Sequence, residues 1–85
     1  MRYVRIIWDD EENLDGNVRH IAEHGLTIDD VEYVLENPSA EGKSRSSRRP
    51  CCFGYTLGGD YIIVLYDEID EDTIYPVTAY EVPEP

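Results

Sequence analysis

The sequence predicts an α+β domain in which an antiparallel sheet of about four strands packs against two helices. A β-branched and aromatic segment opens the chain, two amphipathic helical segments follow, and three strand-like segments linked by turns complete it. Helices followed by a run of hairpin-linked strands are typical of this class. The predicted order is β-α-α-β-β-β, and residues 1–85 form a single domain, because the chain is too short for two.

The first strand is predicted over Tyr3–Trp8, which is rich in β-branched and aromatic residues. A helix is predicted to begin near Asp10, because acidic side chains are favoured in a first helical turn. It is predicted to end at Gly25, which suits the left-handed residue that closes a helix. Apolar positions spaced i, i+4, i+7 and i+8 predict one buried stripe, formed by Leu14, Val18, Ile21 and Ala22.

The second helix carries the clearest local signal in the chain. Thr27 is a favourable N-cap and Asp30 lies three residues later, as in a capping box. Leu26 and Val31 occupy the positions of a hydrophobic staple, and Pro38 ends the helix. The predicted buried face consists of Ile28, Val31, Val34 and Leu35.

The second half of the chain is predicted to be a series of strands. Residues 39–49 are small and polar without periodicity, and they predict a mobile loop. A strand follows over Pro50–Leu57, and a tight turn at residues 58–60 joins it to Tyr61–Tyr66. That last segment is apolar on both faces, which predicts the central strand of the sheet.

The final strand is predicted over Ile74–Val82, followed by a frayed tail at residues 83–85. Pro76 interrupts this segment and has no backbone N–H to donate to a neighbouring strand. It therefore places the strand at an edge of the sheet or at a bulge.

Charge is distributed unevenly along the chain. Nineteen Asp and Glu against seven Lys and Arg give a net charge of −12, which opposes nonspecific binding to nucleic acid. Residues 37–50 form a basic segment between the acidic segments 9–36 and 51–85, with Lys43, Arg45, Arg48 and Arg49 against Glu41. No apolar run approaches the ~20 residues that span a bilayer, which predicts a soluble protein.

Cys51 and Cys52 are adjacent, and a disulfide between them would be strained. Reduced thiols are therefore predicted, and with them a cytoplasmic protein.

Several segments together resemble the BrnT toxin family. The string NVRHIAEHGLTIDDVEYVLENP, residues 17–38, resembles its pattern of an Asn, a Lys- or Arg-His-Gly and an acidic amphipathic helix ending at Pro. In the strand half, Arg49 lies five residues before Gly54, and the string YIIVLY follows as in the family. Residues 77–79, Val-Thr-Ala, resemble the family's final strand. The resemblance covers about residues 6–82.

The resemblance implies a RelE-like fold and a ribonuclease toxin of a type II toxin–antitoxin pair, neutralised by a partner antitoxin. Such toxins use cationic side chains and no metal, because RNA cleavage by the 2′-hydroxyl requires a base and cations around the phosphorane. Two positions depart from the family pattern. Glu23 stands where Lys or Arg is frequent, and Tyr80 stands where Arg is usual. Catalytic residues are therefore altered or lost, and whether the chain is an enzyme is left open.

Five residues form the predicted catalytic site: Arg49, His24, His20, Tyr80 and Glu81. Arg49 would bind phosphate, His24 would act as general base, and Tyr80 would donate to a phosphate or act as a weak acid. Four of them have a structural alternative. The arginine would form surface ion pairs, His24 would interact with the helix dipole, and His20 and Tyr80 would pack.

No metal or cofactor is predicted. The two histidines lack a third ligand at zinc-site spacing, and the acidic turn at residues 67–72 lacks the spacing of a calcium loop.

Two other functional classes remain open. The first is a noncatalytic module on the same fold that binds a basic protein, such as an antitoxin or DNA-binding regulator. The second is a nucleic-acid mimic that blocks a basic cleft.

Overall fold

The computed structural model of the chain describes residues 5–85 and contains two helices and one five-stranded mixed sheet. In chain order the elements are β1 (Arg5–Ile6), α1 (Asn17–Glu23), α2 (Ile28–Glu36), β2 (Ala40–Lys43), β3 (Pro50–Tyr55), β4 (Tyr61–Asp70) and β5 (Thr73–Glu81). The strand order in the sheet is β1-β5-β4-β3-β2. The α+β class is confirmed. The predicted antiparallel sheet of about four strands is wrong, because β2 adds a fifth strand and β1 runs parallel to β5.

The position of the predicted central strand is confirmed, because β4 lies in the middle of the sheet and its residues 61–66 are all buried. Its predicted end is wrong, since β4 continues to Asp70 and only residues 71 and 72 of the predicted acidic turn form a turn. Ile62, Val64 and Tyr66 face the helices and belong to the main core, while Ile63 and Leu65 form a smaller cluster on the other face. Alternation along an extended strand produces this division.

The second helix is also confirmed. The Thr27 hydroxyl accepts from the Asp30 N–H at 3.2 Å, and the Thr27 N–H donates to the Asp30 carboxylate at 3.0 Å. These two bonds complete the capping box. Val31, Val34 and Leu35 are buried against the sheet, as predicted, and Ile28 is half-buried.

The first helix is shorter than predicted. It begins at Asn17 and not near Asp10, so Leu14 lies outside it and is 67% exposed. The reason is local competition for backbone hydrogen bonds. The Asp10 and Asn13 side chains accept from backbone N–H groups two residues later, at 2.8 and 3.0 Å, which stabilises turns in place of a helix. The predicted end is correct, because Gly25 has φ +79°.

The segment predicted as a loop contains a strand. β2 pairs antiparallel with β3, from Ala40 opposite Phe53 to Lys43 opposite Pro50. All four of its residues are exposed, so no hydrophobic alternation marks it in the sequence. Its partner strand imposes the extended conformation, and turns follow at residues 45–47.

The predicted irregularity at Pro76 is a bulge. Leu65 pairs with Thr78 and Tyr66 pairs with Pro76, so Val77 is the extra residue on β5. β5 is not an edge strand, because β1 pairs along its other side. Of the predicted first strand, Tyr3 and Val4 lie outside the described residues.

A buried side chain, that of Asn17, joins the start of α1 to the sheet. Its Nδ2 donates to the Ile7 carbonyl at 3.0 Å and to the Pro76 carbonyl at 2.8 Å. Its Oδ1 accepts from the Asp9 N–H at 2.9 Å. The pairing of β1 with β5 ends at Ile6 and Ile74. Beyond that point, the Asn17 side chain forms hydrogen bonds with backbone groups of β5 and of the segment after β1. Asn17 is 1% exposed, so few of these groups could be satisfied by water instead.

The Asp9 carboxylate completes this junction. Its Oδ2 accepts from the Asn17 N–H at 3.0 Å and from the Tyr75 hydroxyl at 2.5 Å. These bonds lower the pKa of Asp9 below 3.8, and the bond to Asp9 raises the pKa of Tyr75 to about 12. Gly16 is required beside it, because a Cβ there would lie 2.7 Å from the Asp9 Cβ. We call the set Asp9, Asn17 and Tyr75 the junction.

Within residues 5–85, no helix has the length and apolar character needed to cross a membrane.

Asn17→Ala is expected to lower the free energy of unfolding by about 3 kcal/mol, because it leaves a buried carbonyl, a part-buried carbonyl and a part-buried N–H without this partner. Urea unfolding measures the change. Asn13→Ala is the matched control, since the Asn13 side chain accepts only an exposed turn bond, and we expect a loss of about 0.5 kcal/mol. Equal midpoints for the two variants would contradict the role of the junction.

Tyr75→Phe tests the electrostatics of the junction. A group whose pKa is raised by folding, here from 10.0 to about 12, stabilises the folded state fully below pH 10 and loses that contribution as the pH rises toward 12. We therefore expect the stability difference between wild type and Tyr75→Phe to be constant below pH 10 and to shrink above it. Urea unfolding across this pH range measures it, with Tyr33→Phe as control. A difference that stays constant to pH 12 would refute the assignment.

Candidate functional site

A shallow groove lies where α1 meets the start of α2. It encloses about 320 Å³, and its lining is mainly apolar, with acidic and hydroxyl groups beside it: Val18, Ile21, Ala22, Leu26, Ile28, Glu11, Asp29 and Thr27. We call it the α1–α2 groove.

The tight connection between the helices creates this groove. The Gly25 N–H donates to the Ala22 carbonyl at 2.9 Å, and the Leu26 N–H donates to the Ile21 carbonyl at 3.0 Å. With Gly25 in the left-handed conformation, the chain reverses within a few residues and α2 begins beside α1. Because Ala22 is exposed and small, space remains between the two helices.

The rim of the groove is acidic. Glu11 lies in the turns before α1, Asp29 lies in the first turn of α2, and both are exposed. Asp30, the next acidic residue, is held by the capping box and is not part of the lining. The groove thus combines an apolar floor with exposed negative charge. Val18 and Ala22 were predicted to belong to the buried apolar stripe of the first helix. The feature of the sequence that indicates a groove is the small side chain of Ala22 within that stripe.

Two of the five predicted catalytic residues are in contact. His24 follows the last turn of α1, and its ring lies 5.6 Å, centroid to centroid, from the ring of Tyr80 on β5. The two planes are inclined by 47°, and both side chains are solvent-accessible. Glu81 follows on the same strand and is exposed. The packing of α1 on β5 produces this contact.

Arg49 lies away from that pair. Its Nε donates to the Asp67 carboxylate at 2.9 Å, and the two side chains are 40% and 44% exposed. Tyr80 pairs with Ile63, which is four residues from Asp67 along β4, a separation of about 13 Å along the strand. Arg49 therefore has the surface ion pair that was its structural alternative, and it does not form one cluster with His24.

His20 is half-buried in the last turn of α1. It is close enough to the Asp9 carboxylate to contribute to the lowered pKa of that group, after the bonds from Tyr75 and Asn17. His20 therefore interacts with the Asp9 carboxylate of the junction, and we do not assign it to the His24–Tyr80 pair.

The two thiols are buried in β3 and free. Burial raises the pKa of Cys51, and it raises the pKa of Cys52 to about 12, so both are protonated at neutral pH and poor nucleophiles. In the described part of the chain, no three His, Cys, Asp or Glu side chains are grouped so that they could hold a metal ion.

The molecule thus has two candidate functional sites. One is the apolar groove with an acidic rim, and the other is the exposed imidazole–phenol pair of His24 and Tyr80. Comparison with known proteins finds no matching family model, no matching curated protein and no matching solved structure.

Proposed function

We propose that the chain is a BrnT-like protein of a toxin–antitoxin pair and that it acts by binding a basic partner protein through the α1–α2 groove. The observation that carries this proposal is the combination of an apolar floor with the acidic rim residues Glu11 and Asp29. The family assignment rests on the sequence resemblance, and a RelE-like fold is part of the same proposal.

An amphipathic helix with a basic face is the partner segment that this groove suits. Its apolar residues would bury against Val18, Ala22 and Leu26, and its Lys or Arg residues would approach Glu11 and Asp29. The net charge of −12 adds a long-range attraction to any basic protein and repels nucleic acid. An antitoxin or a DNA-binding regulator with a positive net charge would be attracted in this way. The partner class predicted from the composition is therefore compatible with the acidic rim of the groove.

Ala22→Arg is expected to weaken binding of a synthetic amphipathic Leu/Lys helix by about tenfold or more, because it fills the floor and adds a like charge. Fluorescence anisotropy of the labelled peptide measures the affinity. Glu23→Gln, the adjacent exposed position outside the lining, is the control variant and should bind nearly as wild type does. Added salt should weaken wild-type binding.

A peptide of the same composition in scrambled order distinguishes groove binding from charge attraction alone. It should bind more weakly than the amphipathic helix. If the scrambled peptide binds equally well, or if Ala22→Arg leaves the affinity unchanged, the groove is not the binding site.

Metal-independent ribonuclease activity is the second candidate, and the His24–Tyr80 contact favours it. A neutral imidazole can accept the proton of a ribose 2′-hydroxyl, and a phenol hydroxyl can donate to the phosphate. Against it stand the negative net charge and the engagement of Arg49 with Asp67 about 13 Å away along the sheet. Charge stabilisation of the phosphorane would therefore be weak.

Cleavage of a single-stranded RNA in the presence of EDTA tests this candidate. If His24 is the base, His24→Ala should slow cleavage by about 100-fold or more, and Tyr80→Phe should also slow it. Arg49→Ala should have little effect, since that side chain is paired elsewhere. Absence of cleavage by folded wild-type protein would eliminate the candidate, and an unchanged rate in His24→Ala would eliminate this site.

A further inference from the structure

The sheet ends at β2, whose four residues are all exposed. Within residues 5–85, β3 is the only strand that pairs with it. An edge strand presents a row of N–H and C=O groups to which another strand can pair. The chemistry of β2 determines which strand that would be.

The hydrogen bonds to β3 define which backbone groups of β2 point outward. Lys43 lies opposite Pro50, which has no N–H, and the Ser44 N–H donates to the Arg49 carbonyl at 2.9 Å. This is the pattern of a pair without mutual hydrogen bonds. Since the two kinds of pair alternate along an antiparallel ladder, Lys43 and Glu41 direct their N–H and C=O groups away from β3.

Three antiparallel registers of two β2 strands would join these outward-facing groups. Two of them are centred on Glu41 or on Lys43, and each places one charged residue opposite its own copy. The third is centred on Gly42, and it places Glu41 of each strand opposite Lys43 of the other. Opposite charges across a ladder stabilise it, whereas like charges destabilise it. Charge therefore selects the register centred on Gly42.

We propose that two copies of this chain associate through β2, antiparallel and about a two-fold axis at Gly42. The interface is isologous, with two Glu41–Lys43 pairs and four backbone hydrogen bonds between the two edges. Gly42 meets its own copy at the closest approach of the strands, about 4.5 Å between Cα atoms. Nothing lies within 4 Å of the position where a Gly42 Cβ would be, so this face of the strand is open.

The same register separates the two basic turns. Arg45 of each copy comes opposite Ser39 of the other, which is three residues after Glu36, the last residue of α2. The basic segment of one copy therefore approaches an acidic part of its neighbour. An acidic strand from another protein would pair with Lys43 but would be repelled by Glu41, so a second copy suits this edge better.

A disulfide placed at the axis tests the proposed register. Gly42→Cys is made together with Cys51→Ala, because Cys51 lies opposite position 42 on β3 and would otherwise compete. Cα atoms about 4.5 Å apart lie within the range that a disulfide spans. Mild oxidation should convert most of this variant to a reducible dimer. Ser46→Cys in the same background should remain mostly monomeric, because the two copies of position 46 are far from the axis. Equal cross-linking of both variants would overturn the proposal.

Charge exchange tests the same interface without cysteine. Sedimentation equilibrium over a concentration series should show association of the wild type. Lys43→Glu and Glu41→Lys should each weaken it about tenfold or more, because each creates two like-charge pairs. The double variant Glu41→Lys, Lys43→Glu should restore it. A wild type that is monomeric throughout, or a double variant no better than the single ones, would refute the proposal. An acidic partner strand instead of a second copy would leave the wild type monomeric.

Discussion

The hydrogen bonds of the Asn17 side chain are the constraint on which the rest of this structure depends. One amide joins the segment after β1, the bulge of β5 and the start of α1, all within a buried site. Each of its polar atoms has a partner, and so does the Asp9 carboxylate beside it. An apolar residue of the same size would leave carbonyls on two segments unsatisfied, which explains why a polar side chain occupies this buried position.

The position of α1 follows from this junction, and the functional surfaces follow from the position of α1. Because the helix is fixed at its first residue and packs on β5, its last turn brings His24 to Tyr80. The reversal at Gly25 then places α2 beside α1 and opens the groove between them. Neither surface depends on a long loop. Most of their side chains lie on helices and strands or in the short connection between α1 and α2, and Glu11 lies in the turns before α1.

Much of the fold was predictable because its signals are local. The Thr27–Asp30 capping box, the left-handed Gly25 and the apolar string of β4 each depend on a few neighbouring residues. The start of α1 was not predictable, because hydrogen bonds to the Asp10 and Asn13 side chains stabilise turns there in place of a helix. β2 was missed because an exposed edge strand has no apolar pattern. The separation of Arg49 from His24 depends on strand order, which sequence spacing does not contain.

The groove lies between the two helices and the edge strand lies at one side of the sheet, and this separation has a consequence for binding. α1 packs on β5, and α2, which packs on β3 and β4, borders the groove only at its first turn. β2 is the third strand from β5, with β4 and β3 between them. Pairing of two β2 strands would therefore leave both α1–α2 grooves accessible. A two-fold assembly with two acidic-rimmed grooves would bind a dimeric basic partner with greater avidity than a single groove would, provided that the two sites match in spacing. The two proposals are independent in origin, and together they specify a bivalent acidic surface.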